Sequence, residues 1–170
     1  MPITKAIAED IPALEDLLNS AYRGETSKKG WTTEADLLDG DLRTDAATLH
    51  TLMQTPGAVF LKYTNAQDQV EGCVFLHKNE DKLYLGMLSV SPWIQAKGIG
   101  KQLMTAAENY ARDLKCSSLF MKVISVRHEL IAWYERKGYY KTGQTEAFPT
   151  DERFGIPTRQ LEFIIMEKEV

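Results

Sequence analysis

Two short stretches of this chain hold residue types and spacings suited to chemistry. The first is Gln95-Ala96-Lys97-Gly98-Ile99-Gly100-Lys101. Its two glycines leave backbone N–H groups unshielded, and the apolar residues that follow fall on one helical stripe: Ile99, Leu103, Ala106, Ala107, Tyr110 and Leu114. The first N–H groups of a helix have no partner within it and lie at the positive end of its macrodipole. The stretch therefore predicts an anion seat, with a phosphate as the foremost occupant. The second stretch surrounds Tyr134, in Leu130-Ile131-Ala132-Trp133-Tyr134-Glu135-Arg136-Lys137-Gly138-Tyr139. A phenol can protonate a departing group. By spacing alone, a core aromatic on an amphipathic helix is the stronger reading of Tyr134, as it is of Trp133.

Spacing narrows the phosphate chemistry. A P-loop needs a glycine, four residues, then Gly-Lys and a hydroxyl residue. Here Gly100-Lys101 is followed by Gln102, and the place of the first glycine is taken by Gln95. A dinucleotide fingerprint needs a third glycine where Leu103 stands. What remains is Gln95-x-x-Gly98-x-Gly100.

The elements that must position these stretches follow from the apolar pattern. Leu83 to Val90 is almost wholly apolar, which predicts a strand covered on both faces, ended by Pro92. Before it, Ala58 to Tyr63 and Val70 to Lys78 form a hairpin pair, and Ile3 to Ala6 is a short first strand. Asp10 and Pro12 open a helix with Ile11, Leu14, Leu17, Leu18, Ala21 and Tyr22 on its buried face. Thr32 to Asp36 predicts a restarted helix, with a threonine cap and acids in the first turn, interrupted at Gly40. Thr44 or Asp45 starts another, with Leu49, Leu52 and Met53 on one side. Beyond the glycine-rich helix come a strand at Ser117 to Val123, a helix at about Arg127 to Lys137 and a strand at Tyr139 to Gln144. An irregular loop, Glu146 to Arg159, then leads to a final strand at Gln160 to Glu167. The order predicts an α+β fold with a mixed sheet, in one domain spanning 1–170.

Composition excludes several classes. The 170 residues carry a formal net charge of −4, so no global basic field exists for nucleic acid or anionic membrane. No apolar run reaches transmembrane length and no signal-peptide pattern opens the chain. Cys73 and Cys116 stand in no metal-ligand spacing, so no metal is expected and the thiols are read as reduced in a cytoplasmic protein.

Gln95-x-x-Gly98-x-Gly100 after a Val-x-Pro strand end resembles the acetyl-CoA pyrophosphate loop of the GNAT superfamily of N-acetyltransferases. Tyr134-x-x-x-Gly138-Tyr139 resembles a second motif of that family, at the expected separation, and the element order matches over essentially the whole chain. The resemblance implies a three-layer α/β/α-like fold, with a mixed and mostly antiparallel sheet of about seven strands flanked by helices. It implies acetyl-CoA as co-substrate, its pantetheine arm held by backbone groups of Met87, Leu88, Ser89 and Val90. It puts the pyrophosphate on Gln95, Ala96, Lys97, Gly98, Ile99, Gly100 and Lys101, and gives Tyr134 the role of acid toward the sulfur. Dimers are common in the family, so a homodimer is an expectation of the same kind.

Two departures stand out. Many relatives carry a glutamate on the central strand as base, whereas Lys82 to Val90 contains no carboxylate; Glu34 and Glu71 are the substitutes, beside a water chain with no single base. Many also carry an asparagine after the following strand, where this chain has Arg127, which is expected to reach the cofactor phosphates. Acceptor selection falls to the polar connection Arg23 to Gly40 and the loop before the last strand. There Trp31 and Phe154 offer apolar walls, Glu34 a partner for an ammonium, and Arg23 or Arg153 a partner for a carboxylate. The resulting expectation is direct acetyl transfer to the primary amine of a small molecule, such as an amino acid or polyamine. Its rivals are a peptide N-acetyltransferase of the same fold and a non-catalytic acyl-CoA sensor.

Overall fold

The computed structural model describes residues 2–23, 33–40, 43–94, 98–149 and 152–170. Of the site residues expected above, Trp31, Gln95, Ala96 and Lys97 lie outside them. Among the described residues the strands are β1 (Ile3–Lys5), β2 (Leu38–Asp39), β3 (Ala58–Thr64), β4 (Val70–Asn79), β5 (Lys82–Val90), β6 (Ser118–Ile124), β7 (Tyr140–Ala147), β8 (Ile156–Pro157) and β9 (Glu162–Glu169). The helices are α1 (Ile11–Tyr22), α2 (Ala46–Gln54), α3 (Ile99–Asp113) and α4 (His128–Arg136), with single 3-10 turns at Ala8–Asp10 and Glu152–Phe154.

Seven strands form one sheet in the order β1-β3-β4-β5-β6-β9-β7, and β2 pairs with β8 in a separate ribbon. All neighbours are antiparallel except β5 and β6, which run parallel. The α+β expectation with a mixed seven-stranded sheet therefore holds.

The period-two alternation of β4 divides the core. Cys73 and Phe75 pack with the α1 stripe and with Leu49 of α2. Val74 and Leu76 pack with Ile99, Leu103, Met104 and Ala107 of α3 on the other face. All six residues of the α1 stripe are buried, and Leu14 and Leu18 are sealed completely. Each such leucine contributes about 1.5–3 kcal/mol. Gly72 lets α3 approach closely: a Cβ there would lie 2.9 Å from Ile99 Cγ2 and 3.0 Å from Leu103 Cδ1. Asp45 caps α2, its carboxylate accepting from the Thr48 amide at 2.8 Å. Gly138, at φ +96°, closes α4 in the left-handed conformation that favours glycine. No helix among the described residues is long and apolar enough to cross a membrane.

Two local expectations change. Thr33 to Asp36 does not restart a helix. The Thr33 hydroxyl accepts from the Ala35 amide, and the Leu37 and Leu38 amides donate to the Glu34 carbonyl, giving a single turn. Leu38 and Asp39 then pair with Ile156 and Pro157, and this tertiary pairing overrides local helix propensity. The loop from Glu146 to Arg159 is also less irregular than expected, since β7 continues through Ala147 and β8 lies within it.

Candidate active site

β5 and β6 are paired at three positions only, Lys82↔Ser118, Leu83↔Leu119 and Tyr84↔Phe120. Beyond Tyr84 the ladder between them ends. A β-bulge in β5 accompanies this divergence. Cys73 faces Ser89 and Phe75 faces Gly86, so Met87 and Leu88 together stand opposite Val74. Met87 takes φ +53°, the left-handed conformation a non-glycine residue rarely adopts. A bulge opens the ladder locally and re-aims its backbone groups, a device common beside active sites. Two carbonyls of the bulge are tied back. That of Met87 accepts from Ser89 Oγ at 3.1 Å, and that of Leu88 accepts from the Tyr22 hydroxyl.

The divergence opens a cavity of about 340 Å3 that runs from the β5 bulge across to β6, α4 and the loop around Phe154. Tyr134 lines it, buried at 5 % exposure, with its ring set edge-on against Trp133 and Tyr139. Among the described residues no group hydrogen-bonds its hydroxyl. Burial pushes the Tyr134 phenol far above its ordinary range; nearby Tyr22 adds to the rise and Arg127 opposes it. The phenol is thus a neutral donor at any ordinary pH, presented to the cavity. Tyr22 also lines the cavity, and burial, reinforced by Glu34, pushes its phenol up to about 12.

The acceptor end is built from side chains far apart in sequence. Arg23 follows α1 as its C-cap, with an extended backbone, and is only 5 % exposed. Its Nη1 donates to Glu34 Oε1, while Nε and Nη2 donate to the Phe154 carbonyl at 3.0 and 2.8 Å. Glu34 Oε2 lies 3.6 Å from Arg127 Nη1. One carboxylate is thus held between two buried guanidiniums. Desolvation lowers the Arg23 pKa and Glu34 opposes the drop. Gly155 makes the clamp possible: at φ +126°, a Cβ there would sit 3.0 Å from Arg23 Nε and 3.1 Å from Leu38 Cβ. Arg43 enters beside α2, its amide and that of Thr44 held by Asn19 Oδ1, and its guanidinium lies over the Tyr22 ring, 5.5 Å from the centroid.

The sequence stretch expected to seat an anion leads into α3 and is described from Gly98 onward. Gly98 is its left-handed N-cap at φ +69°, and a Cβ built there meets nothing within 4 Å. The Gln102 amide donates to the Gly98 carbonyl, so the amides of Ile99, Gly100 and Lys101 precede the first helical bond. No acidic residue stands in this first turn, and Lys101 is exposed. Among the described residues, the open space at Gly98, amides that precede the first helical bond and a first turn without acidic residues are compatible with a diphosphate. Met87 and Leu88 lie at the bulge and line the cavity. Ser89 and Val90 lie in the β4–β5 ladder, opposite Cys73 and Gly72.

The contacts of several candidate residues bear on their expected roles. Arg127 lines the cavity, with its Nη1 3.6 Å from Glu34 Oε2. Glu34 lines the acceptor end, but its oxygens already face guanidiniums, so it organises arginines instead of meeting an ammonium. Glu71 is buried, accepts from the Asn65 side-chain amide and is not among the described residues that line the cavity. Arg23 is committed to Glu34 and Phe154, and Arg153 stacks over the Phe154 ring at 4.9 Å. Phe154 itself lines the cavity. Tyr22 and Arg43 are the residues that pattern reading missed. Tyr22 is hidden in an apolar stripe, and Arg43 stands in no periodic signal at all. Among the described residues no group of three or more His, Cys, Asp and Glu side chains is placed to hold a metal ion.

A family model described as the acetyltransferase (GNAT) family matches residues 11–139. No curated protein sequence matches the chain significantly. Among solved structures, the ribosomal-protein-alanine N-acetyltransferase from Brucella melitensis is similar with a TM-score of 0.74 at 19% identity, each chain covered in full. The ribosomal-protein-S18-alanine N-acetyltransferase from Escherichia coli gives 0.72 at 16% identity, over 99% of this chain and 92% of that one. A phosphinothricin acetyltransferase from Sinorhizobium meliloti, solved in complex with AcCoA, gives 0.71 at 15% identity, over 100% of this chain and 89% of that one.

Proposed function

This chain belongs to the GNAT acetyltransferase family, and on that premise we propose that it transfers an acetyl group from acetyl-CoA directly to the primary amine of a small molecule. The observation that carries the reading is the cavity at the β5–β6 divergence, lined by the Tyr134 phenol and by the bulge residues Met87 and Leu88. The fold itself does not select the acceptor, since one similar structure is named for a ribosomal-protein alanine and another for phosphinothricin. The modest volume of the cavity, about 340 Å3, favours a small acceptor over an extended peptide.

The roles divide as follows. The amides that open α3, with Gly98 before them, receive the diphosphate. Backbone groups from Met87 to Val90 align the pantetheine arm, and an N–H at the bulge near Leu88 polarises the acetyl carbonyl; such a donor is worth about 2.7–4 kcal/mol in comparable sites. When bound, acetyl-CoA supplies the acyl group as an activated thioester. Tyr134 holds a proton at its hydroxyl for the leaving thiolate, a contribution of about 10²–10⁴-fold. The amine loses its proton to water. Holding the amine in line lowers the barrier most, by roughly 7–11 kcal/mol at best.

The direct test is release of free thiol from acetyl-CoA in the presence of amino acids, polyamines and short peptides. Amine-dependent release, greatest with small acceptors, is the expected result. Release confined to peptides overturns the acceptor class. Tight CoA binding without release for any amine overturns the transferase and leaves a sensor.

A further inference from the structure

We propose that the acceptor carries an anionic group close to its amine, a carboxylate foremost, and that Arg43 receives it. The inference rests on the transferase reading above and adds the acceptor's charge. Among the described residues four cations face the cavity, Arg23, Arg43, Lys122 and Arg127, against the single lining carboxylate of Glu34. Lys122 is neutralised by Glu146 at 2.8 Å. Arg23 is spent on Glu34 and the Phe154 carbonyl, and Arg127 also faces Glu34. Arg43 differs from these. It is half-buried, and among the described residues no carboxylate lies within ion-pair distance of it. Its contact there is the face of the Tyr22 ring.

A cation–π contact orients a guanidinium but leaves its fork of N–H donors free to bind. That fork matches a carboxylate in a bidentate way, and in a sheltered cavity the pairing is strong. The Tyr22 ring also sets the distance. Arg43 lies over the ring, and the hydroxyl at the ring's far end holds the Leu88 carbonyl at the bulge where the acyl group is expected. A single tyrosine side chain thus separates the cation from the reaction centre. That spacing suits an acceptor whose amine and carboxylate are a few bonds apart, as in an amino acid. The same positive field disfavours a polyamine, whose second ammonium would meet Arg43 and Arg127.

The experiment compares an α-amino acid, its carboxamide and a diamine of matched length as acceptors, at a pH below the ordinary alkylamine range so that the diamine keeps its second ammonium, with kcat/KM referred to the neutral fraction of each attacking amine. The wild type is expected to favour the amino acid by about tenfold or more in kcat/KM. Arg43→Gln is expected to raise KM for the amino acid about tenfold with kcat within about twofold, while the amide is unaffected; Arg43→Lys restores part of the loss. Equal turnover of the amide or the diamine by the wild type overturns the inference, as does an equal effect of Arg43→Gln on both acceptor types. If no amine is turned over although calorimetry shows CoA bound, the transferase reading fails and carries this inference with it. Turnover restricted to amines without an anion removes this inference alone.

Discussion

The two ends of the cavity are built from different materials. At the proposed cofactor end the candidate groups belong to the backbone: the amides that open α3 at Ile99, Gly100 and Lys101, and the bulge at Met87 and Leu88. At the acceptor end they are side chains, Tyr22, Arg23, Glu34, Arg43 and Arg127, gathered from α1, the turn after it, the entry to α2 and the entry to α4. A backbone site needs glycine and a strand–helix junction, and it tolerates change elsewhere. A side-chain site holds only while every member keeps its partner. The first kind suits a ligand that is the same for every relative. The second suits an acceptor that differs from one to the next.

That contrast can be broken at either end. The largest effect is expected from Arg23→Ala, which removes a buried guanidinium from Glu34 and two donors from the Phe154 carbonyl. A loss of about 3 kcal/mol in unfolding free energy is expected by chemical denaturation, with CoA affinity in the folded fraction nearly unchanged. If CoA affinity falls in parallel, the two ends are one unit and the contrast is wrong. Tyr134→Phe addresses the junction. Turnover is expected to drop about 100-fold, or about 2.7 kcal/mol in barrier, with CoA and acceptor affinities near those of the wild type; unchanged turnover would remove its role as acid. Gly98→Asp is the narrowest probe. Asp is among the side chains that visit the left-handed conformation, but any side chain at this φ is strained, so a modest loss of stability, about 1 kcal/mol, is expected and is measured separately by chemical denaturation. The same carboxylate would enter the diphosphate seat, and CoA binding is expected to weaken about thirtyfold, or about 2 kcal/mol. Normal binding by calorimetry would move the seat elsewhere.

The same division explains what the sequence revealed. The α1 stripe, the continuous apolar run of β5 and the glycine at the α3 entry are local patterns, each written in consecutive residues, and each pointed to the right element. The bulge was invisible, because Met87 at φ +53° has no composition signal; nothing about methionine favours that conformation. Thr33-Glu34 carried the local signature of a helix start, yet the pull of Arg23 and Arg127 on the Glu34 carboxylate and the pairing of Leu38 with Pro157 turned the chain away. The contact of Arg127 with Glu34 was hidden for the same reason, since that carboxylate lies 93 positions earlier in the chain. One clue was available: a charged residue at position 23, directly after the buried Ala21 and Tyr22, announces a polar partner inside.

The three paired positions between β5 and β6 have a mechanical consequence. They are the whole of the in-sheet seam between a four-strand panel and a three-strand panel. Any molecule that bridges the wedge beyond Tyr84 acts as a tie-rod, so filling the site and stiffening the molecule become one event.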